Sequence, residues 1–253
     1  MDFVKELHDI CSTDTQWVVQ LSGYAWALQQ LAGEDHREIL DAACGTGFGT
    51  SVLARSATHA VGVDLSHDAI FAARTAHRAA NLAFLVMDVA RLAFSNGCFD
   101  AVISQDTIEH VLDDERFVTE VARILKSTGT FVVFTPYREV HTTRPENPYH
   151  LREYSPESLC KLLQANFSSV RLFGRRPSPS LKRVEGTLDE VRRYDPCGIR
   201  LLVPRVFRHW LGSLWLGMRG EKVLNRVSVG DVEYVEGVPQ GCTTLIAVCR
   251  VRA

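Results

Sequence analysis

Three stretches of this 253-residue chain have residue types and spacings that could do chemistry. The first is Leu40-Asp41-Ala42-Ala43-Cys44-Gly45-Thr46-Gly47-Phe48-Gly49, joined by Asp64, which stands 23 residues after Asp41. Glycines in such a turn let a ligand approach bare main chain where a Cβ would obstruct it. A carboxylate at the end of the next strand can accept from both hydroxyls of a ribose. A dinucleotide turn would read G-x-G-x-x-G and lay a pyrophosphate on a helix N-terminus. This turn lacks that third glycine spacing and has an acid before it, which suits a ligand with an ammonium group and no phosphate. The second stretch is Ser104-Gln105-Asp106-Thr107-Ile108-Glu109-His110-Val111. The third runs from Pro136-Tyr137-Arg138 to Pro145-Glu146-Asn147-Pro148-Tyr149-His150-Leu151-Arg152-Glu153-Tyr154-Ser155. A histidine, with an unperturbed pKa of about 6.5, is suited to take a proton from a hydroxyl at neutral pH, and His110 and His150 are the candidates.

These residues need elements to hold them. From residue 38 short β-rich runs alternate with helical stretches, the pattern of a mainly parallel sheet covered on both faces. Strands are predicted at Glu38-Asp41, Ala60-Asp64, Ala83-Asp88, Asp100-Gln105, Thr130-Thr135, Ser168-Phe173 and Thr243-Val251. In Glu115-Lys126 the residues Phe117, Val118, Val121, Ile124 and Leu125 form one apolar helical stripe. Ser127-Thr128-Gly129 is expected to end that helix, with Gly129 in a left-handed turn. Ser155-Pro156 opens a further helix running to about Asn166. Leu21 to Leu28 is predicted to form a helix over the ligand. The expected organisation is an N-terminal helical cap (1–37), a core (38–174 and 240–253) and a basic, partly helical insertion (175–239). Within the insertion, residues 175–226 hold twelve Lys/Arg against five Asp/Glu, and Val206, Phe207, Trp210, Leu211, Leu214 and Trp215 share one helical face.

Composition sets the outer bounds. At 46% apolar and 23% charged the chain can bury a sizeable core, and 28 basic against 30 acidic residues exclude a polycation built for nucleic acid. Seven cysteines without a C-x-x-C pair argue against a zinc cluster or a dithiol motif and, with no export leader or apolar span in view, point to a cytoplasmic address.

The first stretch resembles the opening motif of class I methyltransferases that use S-adenosylmethionine. The resemblance covers roughly residues 20–175 because further motifs follow in order: Val61-Gly62-Val63-Asp64-Leu65-Ser66 resembles the ribose segment and Met87-Asp88-Val89 the adenine segment. It implies a doubly wound α/β fold with a seven-stranded, mainly parallel sheet and an antiparallel last strand. The cofactor contacts implied are Tyr24, Asp41, Ala43, Gly45, Gly47, Asp64, Leu65, Asp88, Val89 and Gln105. Ala43 departs from the family, where many members have glycine. Just beyond the fourth predicted strand there is no [DNS]-P-P-[FYW] motif and no Pro-Cys nucleophile, which disfavours methylation of a planar nitrogen or of cytosine. The second and third stretches resemble methyltransferases of bacterial glycan biosynthesis. They are also similar to metal-dependent ribose 2′-O-methyltransferases of small RNAs, which implies Asp106, Glu109, His110 and His150 as ligands of Mg²⁺ or another divalent cation. Without a metal, His150 or His110 would act as the base.

The expectation is therefore an O-methyltransferase acting on a hydroxyl of a small-molecule or glycan acceptor. A phenol or natural-product acceptor, a silent cofactor-binding module, a homodimer and a peripheral membrane contact through the basic insertion stay open.

Overall fold

The computed structural model describes residues 11–12, 15–32, 38–179 and 227–251. The amphipathic face of residues 206–215 lies outside the described residues. The main sheet contains β2 (Glu38–Ala42), β3 (His59–Asp64), β4 (Leu82–Val86), β5 (Phe99–Gln105), β6 (Leu125–Pro136), β7 (Phe167–Pro177), β9 (Val232–Glu236) and β10 (Thr244–Val251). Their order is β4-β3-β2-β5-β6-β10-β7-β9, and a two-residue ladder pairs β1 (Cys11–Ser12) with β8 (Val227–Ser228). β10 runs antiparallel to both its neighbours, as expected for the last strand, and β9 runs antiparallel to β7. The sheet thus has eight strands and not the seven expected. The extra one, β9, falls inside the stretch read as insertion, where the alternation Val-Glu-Tyr-Val-Glu gives an edge strand too polar to stand out.

The inner strands are buried on both faces, so they read as near-continuous apolar runs. On one face α1 (Thr15–Gln30) and the short α2 (Phe48–Leu53) cover Ile39, Ile103, Phe134 and Ile246. On the other, α4 (Asp114–Ile124) and α5 (Pro156–Gln164) cover Leu40, Val102, Phe131 and Leu245. α4 is capped by Asp113, whose carboxylate accepts from the Arg116 amide at 3.0 Å, and it buries Phe117, Val118, Val121 and Ile124. The expected left-handed end at Gly129 does not occur. The helix stops at Ile124 and passes straight into β6, because Leu125 pairs with Phe99 across a register shift and draws the chain into the sheet at once. Gly129 lies inside that strand. α5 begins as read, with Ser155 and Ser158 in a reciprocal capping box and Pro156 in the first turn.

At the outer edge, α3 (His67–Ala76) carries Arg74, whose Nε and Nη2 donate to the Phe84 carbonyl of β4 at 3.0 and 2.6 Å. At the opposite edge β9 is held through Tyr234. Its ring stacks on Trp26 at 5.0 Å with an interplanar angle of 14°, and its hydroxyl meets Ser22 Oγ at 2.7 Å. Trp26 also meets Phe134 and Phe173 edge-on. Removing an indole packed on three rings leaves a cavity in a close-packed interior, so Trp26→Ala is expected to cost about 3–5 kcal/mol. Urea unfolding measures this, and a loss below about 1 kcal/mol would show that this junction does not hold β9 to the core.

Candidate functional site

The sheet order reverses between β2 and β5, and ligands of open α/β sheets bind outside the carboxyl ends of strands at such a point. The candidate residues gather there. Asp41, near the end of β2, is fully buried. Its Oδ2 accepts from Thr50 Oγ1 at 2.7 Å, and the Tyr24 hydroxyl donates to Oδ1 at 3.2 Å. Burial pushes the carboxyl up to about 6 against the opposing pull of those two hydrogen bonds. Asp41 therefore faces inward, and it ties α1 and α2 to the turn.

The turn itself is left-handed at Ala43 (φ 64), Gly45 (φ 55) and Gly47 (φ 81). Ala43 stands where glycine would relieve about 1–2 kcal/mol of backbone strain, which is the physical reason for glycine at this place in related turns. A Cβ at Gly47 would fall 2.5 Å from the Phe84 ring, so glycine is required by packing as well as by φ. A Cβ on Gly45 would meet nothing within 4 Å, so the turn presents bare backbone to open space. Asp64, ending β3, accepts from the Gly45 amide at 2.8 Å through Oδ2 and from Ser66 N at 2.9 Å through Oδ1. Leu65 beside it is exposed, Asp88 Oδ1 accepts from Ala90 N at 2.9 Å, and Val89 is buried. Gln105, ending β5 beside Gly23, keeps a buried Oε1 without a partner. An open backbone turn flanked by a carboxylate and an orphaned amide oxygen is a cradle that fits an adenosyl ligand with a polar tail.

The second group lies beyond β5 and β6. Asp106 takes a left-handed conformation (φ 51), and a single 3-10 turn, Ile108–His110, follows. Glu109 is fully buried. Thr135 Oγ1 donates to its Oε2 at 2.9 Å, whereas Oε1 has no partner. Burial pushes this carboxyl up to about 8. His110 Nδ1 donates to the Tyr149 carbonyl at 2.8 Å, which leaves Nε2 as the free acceptor of the neutral ring. His150 packs edge-on to His110, ring centroids 4.9 Å apart. Its Nδ1 donates to Glu153 Oε1 at 2.6 Å. Its Nε2 accepts from Asn147 Nδ2 at 2.8 Å, an orientation fixed because Asn147 Oδ1 receives the Tyr149 amide at 3.0 Å. Burial alone would raise Glu153, but hydrogen bonds from Arg138 and His150 outweigh it and hold the carboxyl below its usual range.

Of the expected metal set, Glu109, His110 and His150 bring ligand atoms within 4.8 Å of one another, and Asp106 stands outside that group. Nothing in the sequence marks Thr50 or Thr135, and it places Arg138, Asn147 and Glu153 in the third stretch without a role. The last two had a signal, since Asn147 and Glu153 stand three residues either side of His150.

Residues 40–133 match a methyltransferase domain family. This part of the chain carries a methyltransferase domain. The chain is 32% identical over 153 residues to a probable S-adenosylmethionine-dependent methyltransferase of Mycobacterium tuberculosis, covering 59% of this chain and 55% of that one. It is 36% identical over 182 residues to the fatty-acid O-methyltransferase of Mycolicibacterium smegmatis, covering 71% and 60%. It thus spans only about half to three-fifths of the length of these relatives. The domain's fold is shared with phosphoethanolamine N-methyltransferase 2 of Haemonchus contortus (TM-score 0.61, 18% identity, 91% of this chain and 52% of that one). It is also shared with the YcgJ protein of Bacillus subtilis (TM-score 0.57, 17% identity, 91% and 97%).

Two measurements probe the cofactor half of the domain. Calorimetry with S-adenosylhomocysteine should show Asp64→Ala weakening binding roughly 10- to 100-fold, the worth of one or two hydrogen bonds to a charged group; unchanged affinity would remove Asp64 from the site. For Asp41 the folded carboxyl titrates above its unfolded value, so its contribution is fully present below pH 3.8 and is lost as pH rises towards about 6. Asp41→Asn should therefore be less destabilising at pH 7 than at pH 4, by at most about 3 kcal/mol. Equal penalties in urea melts at both pH values would show that Asp41 is not held as a desolvated carboxylate.

Proposed function

We propose that the chain transfers a methyl group from S-adenosylmethionine to a hydroxyl oxygen of a sugar or glycan acceptor, with His150 as the general base. The observation that carries the reading is the His150–Glu153 couple at 2.6 Å. A carboxylate locked by Arg138 fixes the imidazole with its proton on Nδ1 and leaves Nε2 as the accepting nitrogen. When bound, the cofactor supplies an electrophilic methyl group. Asp64, Leu65, Asp88, Val89 and the bare backbone at Gly45 would hold its adenosine, and Gln105 Oε1 would meet its polar tail. The chain's own work is then to place the acceptor hydroxyl on His150 Nε2 in exchange for Asn147, to take its proton there, and to let Glu153 hold the resulting imidazolium. A poorly acidic hydroxyl needs such help, whereas a phenol needs less. One relative is named for O-methylation of fatty acids, which supports oxygen as the receiving atom.

A second reading has a specific observation behind it. The unpartnered Glu109 Oε1, the free His110 Nε2 and His150 form a mixed oxygen and nitrogen donor set suited to a divalent cation. If present, the ion would supply a positive charge that lowers a hydroxyl's pKa. The fit is partial, because Asn147 occupies His150 Nε2 and Asp106 does not join.

Labelled methyl transfer to a panel of oligosaccharides, nucleotide sugars, glycosides and phenols tests both. Saccharide hydroxyls should be labelled; His150→Ala should cut turnover at least about 100-fold while affinity for S-adenosylhomocysteine stays within about twofold. Near-normal turnover would eliminate the base. Turnover surviving a chelator is the expected result, and loss restored by Mg²⁺ or Mn²⁺ would transfer the assignment to the metal.

A further inference from the structure

Among the described residues the large apolar side chains left in solvent are Leu65, Phe71, Leu85, Leu112, Val140, Tyr149 and Leu151. Leu112 (83% exposed), Tyr149 (80%), Val140 (78%) and Leu151 (42%) all lie on the two segments that build the His110–His150 site. The backbone ties them to it. Tyr149 lends its carbonyl to His110 and Leu151 donates its amide to the Glu109 carbonyl at 2.8 Å, so both flank His150. Leu112, two residues beyond His110, accepts Arg152 Nη2 on its carbonyl at 2.9 Å. Val140 lies between Arg138, whose amide donates to the Tyr154 carbonyl at 3.1 Å, and Thr142, which exchanges backbone hydrogen bonds of 3.0 and 2.9 Å with Glu153.

Single exposed apolar residues need no explanation, but four gathered at the mouth of one site do. They cost free energy in water and add nothing to the core. A tyrosine among leucines and valine is also the composition found where a protein meets the headgroup boundary of a lipid layer. The charge pattern narrows the surface further. Residues 106–115 carry five carboxylates and no lysine or arginine, and residues 137–155 hold three arginines against three glutamates. Such a mouth repels anionic lipid, so attraction by counter-charge is not what would hold it.

We propose that Leu112, Val140, Tyr149 and Leu151 seat the acceptor mouth on a zwitterionic lipid surface, from which a lipid-borne hydroxyl is presented to His150. The part concerning the hydroxyl rests on the function proposed above; the seating does not. It differs from the contact expected of the basic insertion, which would seek anionic lipid.

Co-sedimentation with sucrose-loaded phosphatidylcholine vesicles tests the seating with the full chain. The wild type should bind, with little change when salt is raised. Leu112→Asp combined with Tyr149→Asp should weaken binding at least about tenfold, with unchanged affinity for S-adenosylhomocysteine showing that the domain remains folded. Phe71→Asp, which alters an equally exposed ring on α3 away from the mouth, should bind as the wild type does. The proposal is overturned if the wild type does not bind, if Phe71→Asp weakens binding as much as the double variant, or if binding needs phosphatidylglycerol and vanishes in salt. Vesicle binding as expected together with a fully active His150→Ala would instead overturn the base alone.

Discussion

The Asp41 carboxylate is the interaction on which the rest of the molecule depends. Withdrawn from water, it must be satisfied by protein groups, and the groups that do so come from α1 and α2. Tyr24 can reach it only because Gly49 has no side chain, since a Cβ there would lie 1.8 Å from the Tyr24 ring. One desolvated acid thus fixes the N-terminal helix, the glycine turn and the first helix after it in a single arrangement. Asp64, bonded to Gly45 N, fixes the other side of the turn. What is left free is the open backbone between them, and that is the part a ligand can use.

The acceptor side is organised differently. Its residues come from loops, and the loops are held by polar contacts to a rigid helix and sheet. Tyr154 donates to Asp114 at 2.5 Å and Arg152 pairs with the same carboxylate at 2.6 Å, so the start of α4 anchors the segment that carries His150. Arg138, following β6, clamps Glu153 from the other side. The histidine is therefore oriented by groups from two segments, the start of α4 and the residues after β6, both beyond the carboxyl ends of adjacent parallel strands, although it sits on a connecting segment itself.

Much of this was legible in the sequence because burial and ligand approach both act on residue type. The inner strands announce themselves as apolar runs, and Asp41, Gly45, Gly47 and Asp64 announce themselves because bare backbone and a carboxylate have no substitutes. The parts that were not legible depend on distant partners. β9 holds strand-forming Val232, Tyr234 and Val235, but its short run is broken by glutamates and its place is fixed by pairing with β7 and by Tyr234 stacking on Trp26. Gly129 reads as a helix stop until the pairing of Leu125 with Phe99 is known. Glu153 was quoted within a motif but its role depends on Arg138 closing from another segment. Asp106, which the resemblance groups with the metal donors, has a left-handed backbone and stands outside the Glu109, His110 and His150 group.

Arg74 has a wider consequence. By placing two donors on one outward carbonyl of β4, it occupies a hydrogen-bonding position that a foreign strand would need to lengthen the sheet. A chain with an apolar β-rich interior thereby carries, at its outermost rung, a built-in stop against end-to-end polymerisation.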